Sequence, residues 1–176
     1  MVRSVLRSES VDLEAAAAWT ETMAKGDLRT GLTNDVTAYA TRADPENALA
    51  MLHRLEADSP AYGVLARQWY ARNPEQASAW LDSLEPGAKQ DAALVGVIHE
   101  MFYDRHYGDW RKGAKIEALP LIVRVVDPEL RMEQLRYLFL NVPQEEAERL
   151  MDVHQVRSDE RVEILKQYET IVEKRP

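Results

Sequence analysis

The positions of apolar and polar residues along this chain predict amphipathic α-helices that recur at a regular interval. In the stretch 73–84 (NPEQASAWLDSL), four apolar residues fall at the i, i+3, i+4 and i+7 positions of one helix face. They are Ala77, Trp80, Leu81 and Leu84. The same pattern occurs 29 residues earlier at 44–55 (DPENALAMLHRL) and a further 32 residues earlier at 12–23 (DLEAAAAWTETM). The chain therefore repeats a helical unit.

The start of each repeat carries the signals of a helix N-terminus. Asp44 and Asn73 are good N-cap residues, because a side-chain oxygen accepts a hydrogen bond from a free amide of the first turn. Pro45 and Pro74 follow them, and proline at the first helical position leaves no amide unpaired. A glutamate comes next in both copies, where the positive end of the helix dipole favours it.

Each repeat contains two antiparallel helices, here called the A helix and the B helix, and we expect one domain over 1–176. The repeats span about 12–43, 44–72, 73–105, 106–141 and 142–174. Repeats of this length indicate stacked helix pairs that share a continuous core. The predicted fold is therefore all-α, an α–α superhelix (solenoid) of about five helix pairs. A small helical bundle is the main alternative, but the repeats are joined by almost no loop.

The repeat also predicts which side chains are buried. Equivalent positions place the tryptophans of the first three repeats in the core: Trp19, Trp69 and Trp80. In the last helix the inward residues are expected to be Val162, Leu165, Tyr168 and Val172. Pro120 lies inside the A helix of the fourth repeat and is expected to kink that helix or divide it in two.

The junction before the fourth repeat departs from the pattern. In place of Asp-Pro, the chain has an insertion of about eight residues at 106–113 (HYGDWRKG). Such departures are often functional, and its aromatic and basic residues are types that binding hot spots favour. The alternative is that the insertion only adjusts the superhelix and buries Trp110 against the neighbouring pair.

The repeat resembles the tetratricopeptide-like and HEAT-like α–α superhelices, and most closely bacterial repeats of the form Asp-Pro-Glu-x-Ala-x-x-Trp. Residues 73–105 match this form best, 44–72 match it well and 12–43 fairly, whereas 106–176 depart from it. The tetratricopeptide signature Trp-x-x-Leu-Gly-x-x-Tyr is not matched. The resemblance implies a scaffold for protein contacts without enzymatic activity, and it carries over no specific binding residue.

Composition narrows the functional classes. The 176 residues carry a net charge of −8, and this acidity disfavours nucleic acid as a partner, because a phosphate backbone requires a basic surface. The chain has no cysteine, which excludes disulfides, thiolate catalysis and cysteine-ligated metals. No apolar run is long enough to span a membrane. We expect a cytoplasmic protein, or a periplasmic one if a leader or anchor has been removed upstream.

Catalytic and cofactor motifs are incomplete. His99-Glu100 begins like the metalloprotease motif HExxH, but the fifth residue is Tyr103. The stretch 108–113 has the Gly-x-x-x-x-Gly spacing of a phosphate-binding loop without the Lys-Ser/Thr that should follow. We therefore expect no catalytic residue, no metal and no cofactor.

The sequence thus predicts a non-catalytic scaffold that binds a protein partner. One candidate surface lies around the insertion: Tyr103, His106, Tyr107, Trp110 and Arg111. A second lies on the A helices, at positions that the core pattern leaves free: Asn47, Arg54, Gln76 and Ser83. Two alternatives stay open, a metal-dependent hydrolase using the region of His99 and His106, and a structural protein that associates with itself, for example as a homodimer.

Overall fold

The computed structural model describes residues 12–103, 116–139 and 142–173, with side chains through residue 168. These residues form ten α-helices, one 3₁₀ turn at Ile116–Ala118 and no β-strand. The helices are α1 (Leu13–Glu21), α2 (Asp27–Ala43), α3 (Pro45–Arg54), α4 (Ser59–Tyr70), α5 (Pro74–Ser83), α6 (Ala88–Phe102), α7 (Leu119–Ile122), α8 (Pro128–Phe139), α9 (Gln144–Val153) and α10 (Ser158–Glu173). The prediction of an all-α protein is confirmed.

The predicted N-caps explain where several of these helices begin. The Asp44 carboxylate accepts hydrogen bonds from the first-turn amides of α3, at 3.0 and 3.2 Å, and Asn73 caps α5 at 3.1 Å. Asp127 caps α8 in the same way, at 2.9 and 3.0 Å. In all three helices a proline follows the cap residue, as the sequence predicts.

The chain divides into two compact units, residues 1–100 and residues 101–176. In the first unit α2 packs against α1, α3 and α4, and α4 also packs against α3 and α5. A close approach joins α4 to α6: a Cβ added to Gly96 would lie 2.2 Å from the carbonyl oxygen of Gly63. Only glycine at these two positions allows the backbones of the two helices to come so near.

A buried ion pair holds two helices of the second unit together. There α8 packs against α7 and α10, and α9 packs against α10. The Arg131 Nε of α8 donates to the Glu160 Oε1 of α10 at 2.6 Å, and the Glu160 side chain is only 2% exposed. Arg157 donates to the same oxygen at 2.8 Å. The carboxylate thus loses water but gains two cationic partners, which offset the cost of its burial.

One repeat position recurs as a donor to the end of the preceding helix. Arg29, Gln90 and Arg131 each donate to the carbonyl oxygen six residues earlier, at 3.0, 2.9 and 2.5 Å. The equivalent residue in the second repeat is Ala61, which has no side-chain donor. A second nitrogen of Arg29 donates to the carbonyl of Leu55, six residues before Ala61, at 2.9 Å. The first repeat therefore supplies the bond that the second cannot make.

The prediction that all three tryptophans are core residues is wrong for Trp19. Trp69 and Trp80 are buried and their rings stack, with centroids 5.5 Å apart. Trp19 occupies the position of Trp80 in the first repeat but is 50% exposed. The reason is that α4 precedes α5 and covers Trp80, whereas the described residues contain no helix before α1.

The prediction for the last helix is wrong at Val162, which is 54% exposed. The buried residues of α10 include Glu160 and Ile164, while Leu165 and Tyr168 are half-buried and the Val172 side chain is not described. Glu160 lies in the first turn of α10, and its buried ion pair with Arg131 places this side of the helix against α8. Val162 is two residues further along the helix and therefore faces away from that side.

Pro120 lies at the start of a short α-helix, and the residues that would form the first part of the predicted A helix are partly outside the described ranges. The 3₁₀ turn ends at Ala118, and the four-residue α7 follows with Pro120 in its first turn. At that position the missing amide costs no hydrogen bond.

Candidate interaction surface

The candidate surface on the A helices lies on the exposed sides of α3 and α5. Asn47 and Gln76 occupy equivalent positions 29 residues apart, as do Arg54 and Ser83, and all four are exposed. The N-caps hold the backbone amides of Asn47 and Gln76, so that their side chains extend from a fixed first turn. The two helices therefore present matching polar side chains at an interval of one repeat.

Small residues lie between these polar positions. Ala50 on α3 and Ala79 on α5 are equivalent and exposed, and Ala18 is their exposed counterpart on α1. An alanine side chain extends little beyond the helix backbone, so that the surface is slightly depressed between the longer side chains. A partner segment crossing α3 and α5 would approach their backbones most closely at these alanines.

Arg54 is tied to the neighbouring helix. Its guanidinium lies 2.9 Å from the Glu14 carboxylate and 2.7 Å from that of Glu21, both on α1. The hydrogen bond to Glu14 raises the pKa of Arg54, and the charges of both carboxylates add to the effect. A partner carboxylate would have to compete with these two residues. Sequence reasoning missed this pairing because it depends on α1 and α3 lying side by side.

Ser83 is exposed but also makes a local bond. Its hydroxyl donates to the carbonyl of Trp80 at 2.6 Å, at the end of α5. The hydroxyl oxygen can still accept a hydrogen bond from a partner. Ser83 is therefore better suited to accept than to donate.

The candidate surface around the insertion falls mostly outside the described residues. Tyr103 is exposed at the end of α6. His106, Tyr107, Trp110 and Arg111 lie in the part of the chain that the structure does not describe. Their role stays a prediction.

The metal-hydrolase alternative gains no support from the described residues. His99 is half-buried on α6, and His106 lies outside the described ranges. Within those ranges, no three His, Asp or Glu side chains are grouped so that they could hold a metal ion.

A cleft in the first unit was not predicted. It lies between the start of α2 and the turn before α4 and contains about 320 Å³ of empty space, including open solvent at its mouth. The two cations that line it are already paired: Lys25 lies 3.6 Å from Glu56, and Arg29 donates to two carbonyls. Asn34 also lines the cleft, and its buried Oδ1 has no hydrogen-bond partner among the described residues.

Comparisons of the chain with protein-family models, with curated proteins and with solved structures find no match. Among the described helices, none is both long and apolar enough to cross a lipid bilayer.

Proposed function

We propose that this protein is a non-catalytic scaffold that binds a partner protein segment on the outer surface of its A helices. The underlying architecture is an α–α superhelix of about five helix pairs, similar in kind to tetratricopeptide and HEAT repeats. The partner segment crosses α3 and α5, contacts Asn47 and Gln76, and passes over the alanines between the polar positions.

One observation carries the architecture: contacts between helices recur at the interval of the sequence repeat. Among the described residues, six hydrogen-bonded pairs are separated by 27 to 33 positions. They are Thr30–Asp58, Arg42–Arg72, Arg67–Glu100, Arg131–Glu160, Arg136–Glu163 and Phe139–Tyr168. Contacts between neighbouring repeats are what a stacked array requires, and Asn47 and Gln76 of the A helices stay exposed beside them.

The charge of the A helices favours a partner segment with basic residues. Glu46 and Glu75 are exposed in the first turns of α3 and α5, and Asp82 is exposed near the end of α5. The whole chain has a net charge of −8. Opposite charge on the partner would speed association and would make binding weaken as salt is raised.

The test is affinity capture from native lysate, read by mass spectrometry, followed by binding titrations with each captured protein. The diagnostic variant is Ala50→Arg/Ala79→Arg, which places long side chains at the exposed alanine positions of α3 and α5. The matched control is Ala43→Arg/Ala88→Arg, which adds the same charge at exposed alanines of α2 and α6. A third variant, Tyr107→Ala/Trp110→Ala, tests the insertion.

We expect a partner that the wild type and the control bind equally, and that the diagnostic variant binds at least about tenfold more weakly, or about 1.4 kcal/mol. Loss of binding in Tyr107→Ala/Trp110→Ala alone would move the site to the insertion. Equal binding by all variants would contradict both surfaces.

A further inference from the structure

The first half of α2 is polar at a position where the other B helices are apolar. Thr33 stands four residues after Arg29, whose place in the repeat is shared by Ala61, Gln90 and Arg131. Thr33 is only 4% exposed. The later repeats have fully buried leucines at its position: Leu65, Leu94 and Leu135. A buried hydroxyl at a leucine position breaks the core pattern, and such breaks are often functional.

Other buried hydroxyls of α2 are satisfied within the helix itself. Thr37 and Thr41 donate to the carbonyl oxygens of the residues four places earlier, at 2.7 and 2.6 Å. Within the described part of the chain, the Thr33 hydroxyl makes no such bond. It therefore remains able to donate to a ligand or to accept from one.

Asn34 places a second polar group beside Thr33. Its Oδ1 is buried and has no hydrogen-bond partner among the described residues. The equivalent residues of the second and third repeats are Ala66 and Val95, whose side chains are apolar. An acceptor that is removed from water without a partner costs free energy, and a ligand that donates to Oδ1 would recover it.

Thr33 and Asn34 both line the cleft between the start of α2 and the turn before α4. Its volume of about 320 Å³, which includes the open mouth, lies at the lower end of the range of ~300–1,000 Å³ that small-molecule sites occupy. The cleft therefore admits a group of side-chain size and excludes a large cofactor.

The charged residues that line the cleft balance one another. Lys25 lies 3.6 Å from Glu56, and Arg29 donates to two backbone carbonyls. The Asp58 carboxylate accepts from the Thr30 hydroxyl at 3.1 Å. Two cations thus stand beside two carboxylates, and all four already have partners. The cleft consequently favours a neutral polar ligand over an ion.

We propose that this cleft binds a primary carboxamide, the group that Asn and Gln side chains and small free amides have in common. One N–H of the ligand donates to Asn34 Oδ1, and the ligand carbonyl accepts from the Asn34 amide nitrogen or from the Thr33 hydroxyl. A carboxylate has no donor for Oδ1 at neutral pH, and an ammonium has no acceptor for the other two groups. A carboxamide supplies both.

This site goes beyond the scaffold function, because it uses α2 and the turn before α4 instead of the exposed polar residues of α3 and α5. Each proposal can therefore fail while the other holds. The closest rival is that water alone fills the cleft and donates to Oδ1.

The test is a titration of isotope-labelled protein with acetamide, followed through the amide signals of the backbone and of the Asn34 side chain in NMR spectra. We expect saturable shifts at Thr33 and Asn34. Acetate has nearly the same size but no N–H donor, and it should give no saturable shift there. No saturable response to acetamide would overturn the proposal and leave water as the occupant, and equal responses to acetamide and acetate would overturn it too.

A pair of variants locates the binding. Thr33→Val/Asn34→Val removes both polar groups and should weaken acetamide binding at least about tenfold. Thermal unfolding checks its fold, and we expect a melting temperature no lower than that of the wild type, because later repeats are apolar at both positions. The control Thr41→Val removes a buried hydroxyl of the same helix outside the cleft and should bind acetamide as the wild type does. Equal binding by the double variant and the control would contradict the site.

Two model compounds identify the source of the carboxamide. N-acetyl-glutamine methylamide carries the group on a peptide backbone, and N-acetyl-glutamate methylamide replaces it with a carboxylate. Tighter binding of the glutamine compound than of acetamide would assign a peptide segment, and binding no tighter than that of acetamide would assign a small free amide. Equal binding of the glutamine and glutamate compounds would show that the carboxamide is not recognised, and it would refute the proposal.

Discussion

The two units use the same repeat positions but join their helices with different chemistry. In the first unit, α4 meets α6 through glycine backbones and α5 through stacked tryptophans. In the second unit, α8 meets α10 through the Arg131–Glu160 ion pair and through the Tyr168 hydroxyl, which donates to the carbonyls of Phe139 and Val142. Tyr168 and Trp69 are equivalent in the repeat alignment. Equivalent positions of the sequence repeat therefore contact a neighbouring helix in both units, and the chemistry of that contact differs between the units.

The largest effect is expected where the first unit relies on aromatic stacking. Trp80→Ala should lower the free energy of unfolding by about 3–5 kcal/mol, because it removes a buried side chain that stacks on Trp69. Trp19→Ala is the matched control and should cost under about 1 kcal/mol, because Trp19 is half exposed. Urea unfolding of both variants gives the comparison, and equal losses would show that the two positions do not differ in burial.

The second-largest loss in the free energy of unfolding is expected when the buried ion pair of the second unit is broken. Arg131→Met leaves the buried Glu160 with one cationic partner, and we expect a loss of about 3 kcal/mol. Arg136→Met in the same helix breaks a pair with Glu163 in which both side chains are exposed, and it should cost under about 1 kcal/mol. Urea unfolding at low and high salt measures both. A similar loss of stability in the two variants would mean that the buried ion pair does not hold α8 and α10 together more strongly than the exposed one.

Replacing glycine by alanine should have opposite effects on stability at two positions of the first unit. Gly96→Ala forces the helices apart and should cost about 2–3 kcal/mol. Gly31→Ala has open space around its Cβ and should stabilise the protein by about 0.5–1 kcal/mol, because alanine favours helix more than glycine does. Thermal unfolding of the two variants distinguishes close approach from helix propensity. A stable Gly96→Ala protein would mean that the backbones do not touch.

The smallest loss of stability is expected for Tyr168→Phe, and this loss should depend on pH. Burial raises the pKa of Tyr168 to about 12, above its ordinary value of about 10. The folded state favours the neutral phenol, so that this stabilisation is complete below about pH 10 and is lost as the pH rises through about 12. Tyr168→Phe should cost about 1 kcal/mol at neutral pH through its lost hydrogen bond. Denaturant titrations from pH 8 to 12, roughly, should show the difference between variant and wild type narrowing. A constant difference would contradict the shifted pKa.

Local signals in the sequence predicted the helices well, because a helix start depends on few residues. Asp44 and Asn73 each cap the helix that the cap–proline–glutamate pattern predicts. Asp127 caps the helix that begins at Pro128 in the same way. These outcomes depend on hydrogen bonds within one helical turn, and the residues that make them are neighbours in the sequence.

Contacts between repeats were harder to predict. The hydrophobic pattern assigned Val162 to the core, but the structure exposes it and buries Glu160 of the same helix, because a charge can be buried when its partner comes from another helix. The pattern also placed Trp19 in the core, although burial depends on a preceding helix. At the candidate site, exclusion from the core pattern correctly gave the exposure of Asn47 and Gln76, but it gave no sign that Arg54 is held by α1.

The bond from Arg29 to the carbonyl of Leu55 limits how such a chain can be cut, shortened or rearranged. A fragment that starts at α3 would keep Ala61 and lose the donor that satisfies the end of its first helix. Restoring a donor at that position, for example with Ala61→Gln to match Gln90, would make the second repeat self-sufficient. Without that change, the end of α3 depends on Arg29 of the first repeat. The first and second repeats should therefore be kept together when repeats are added to the chain or removed from it.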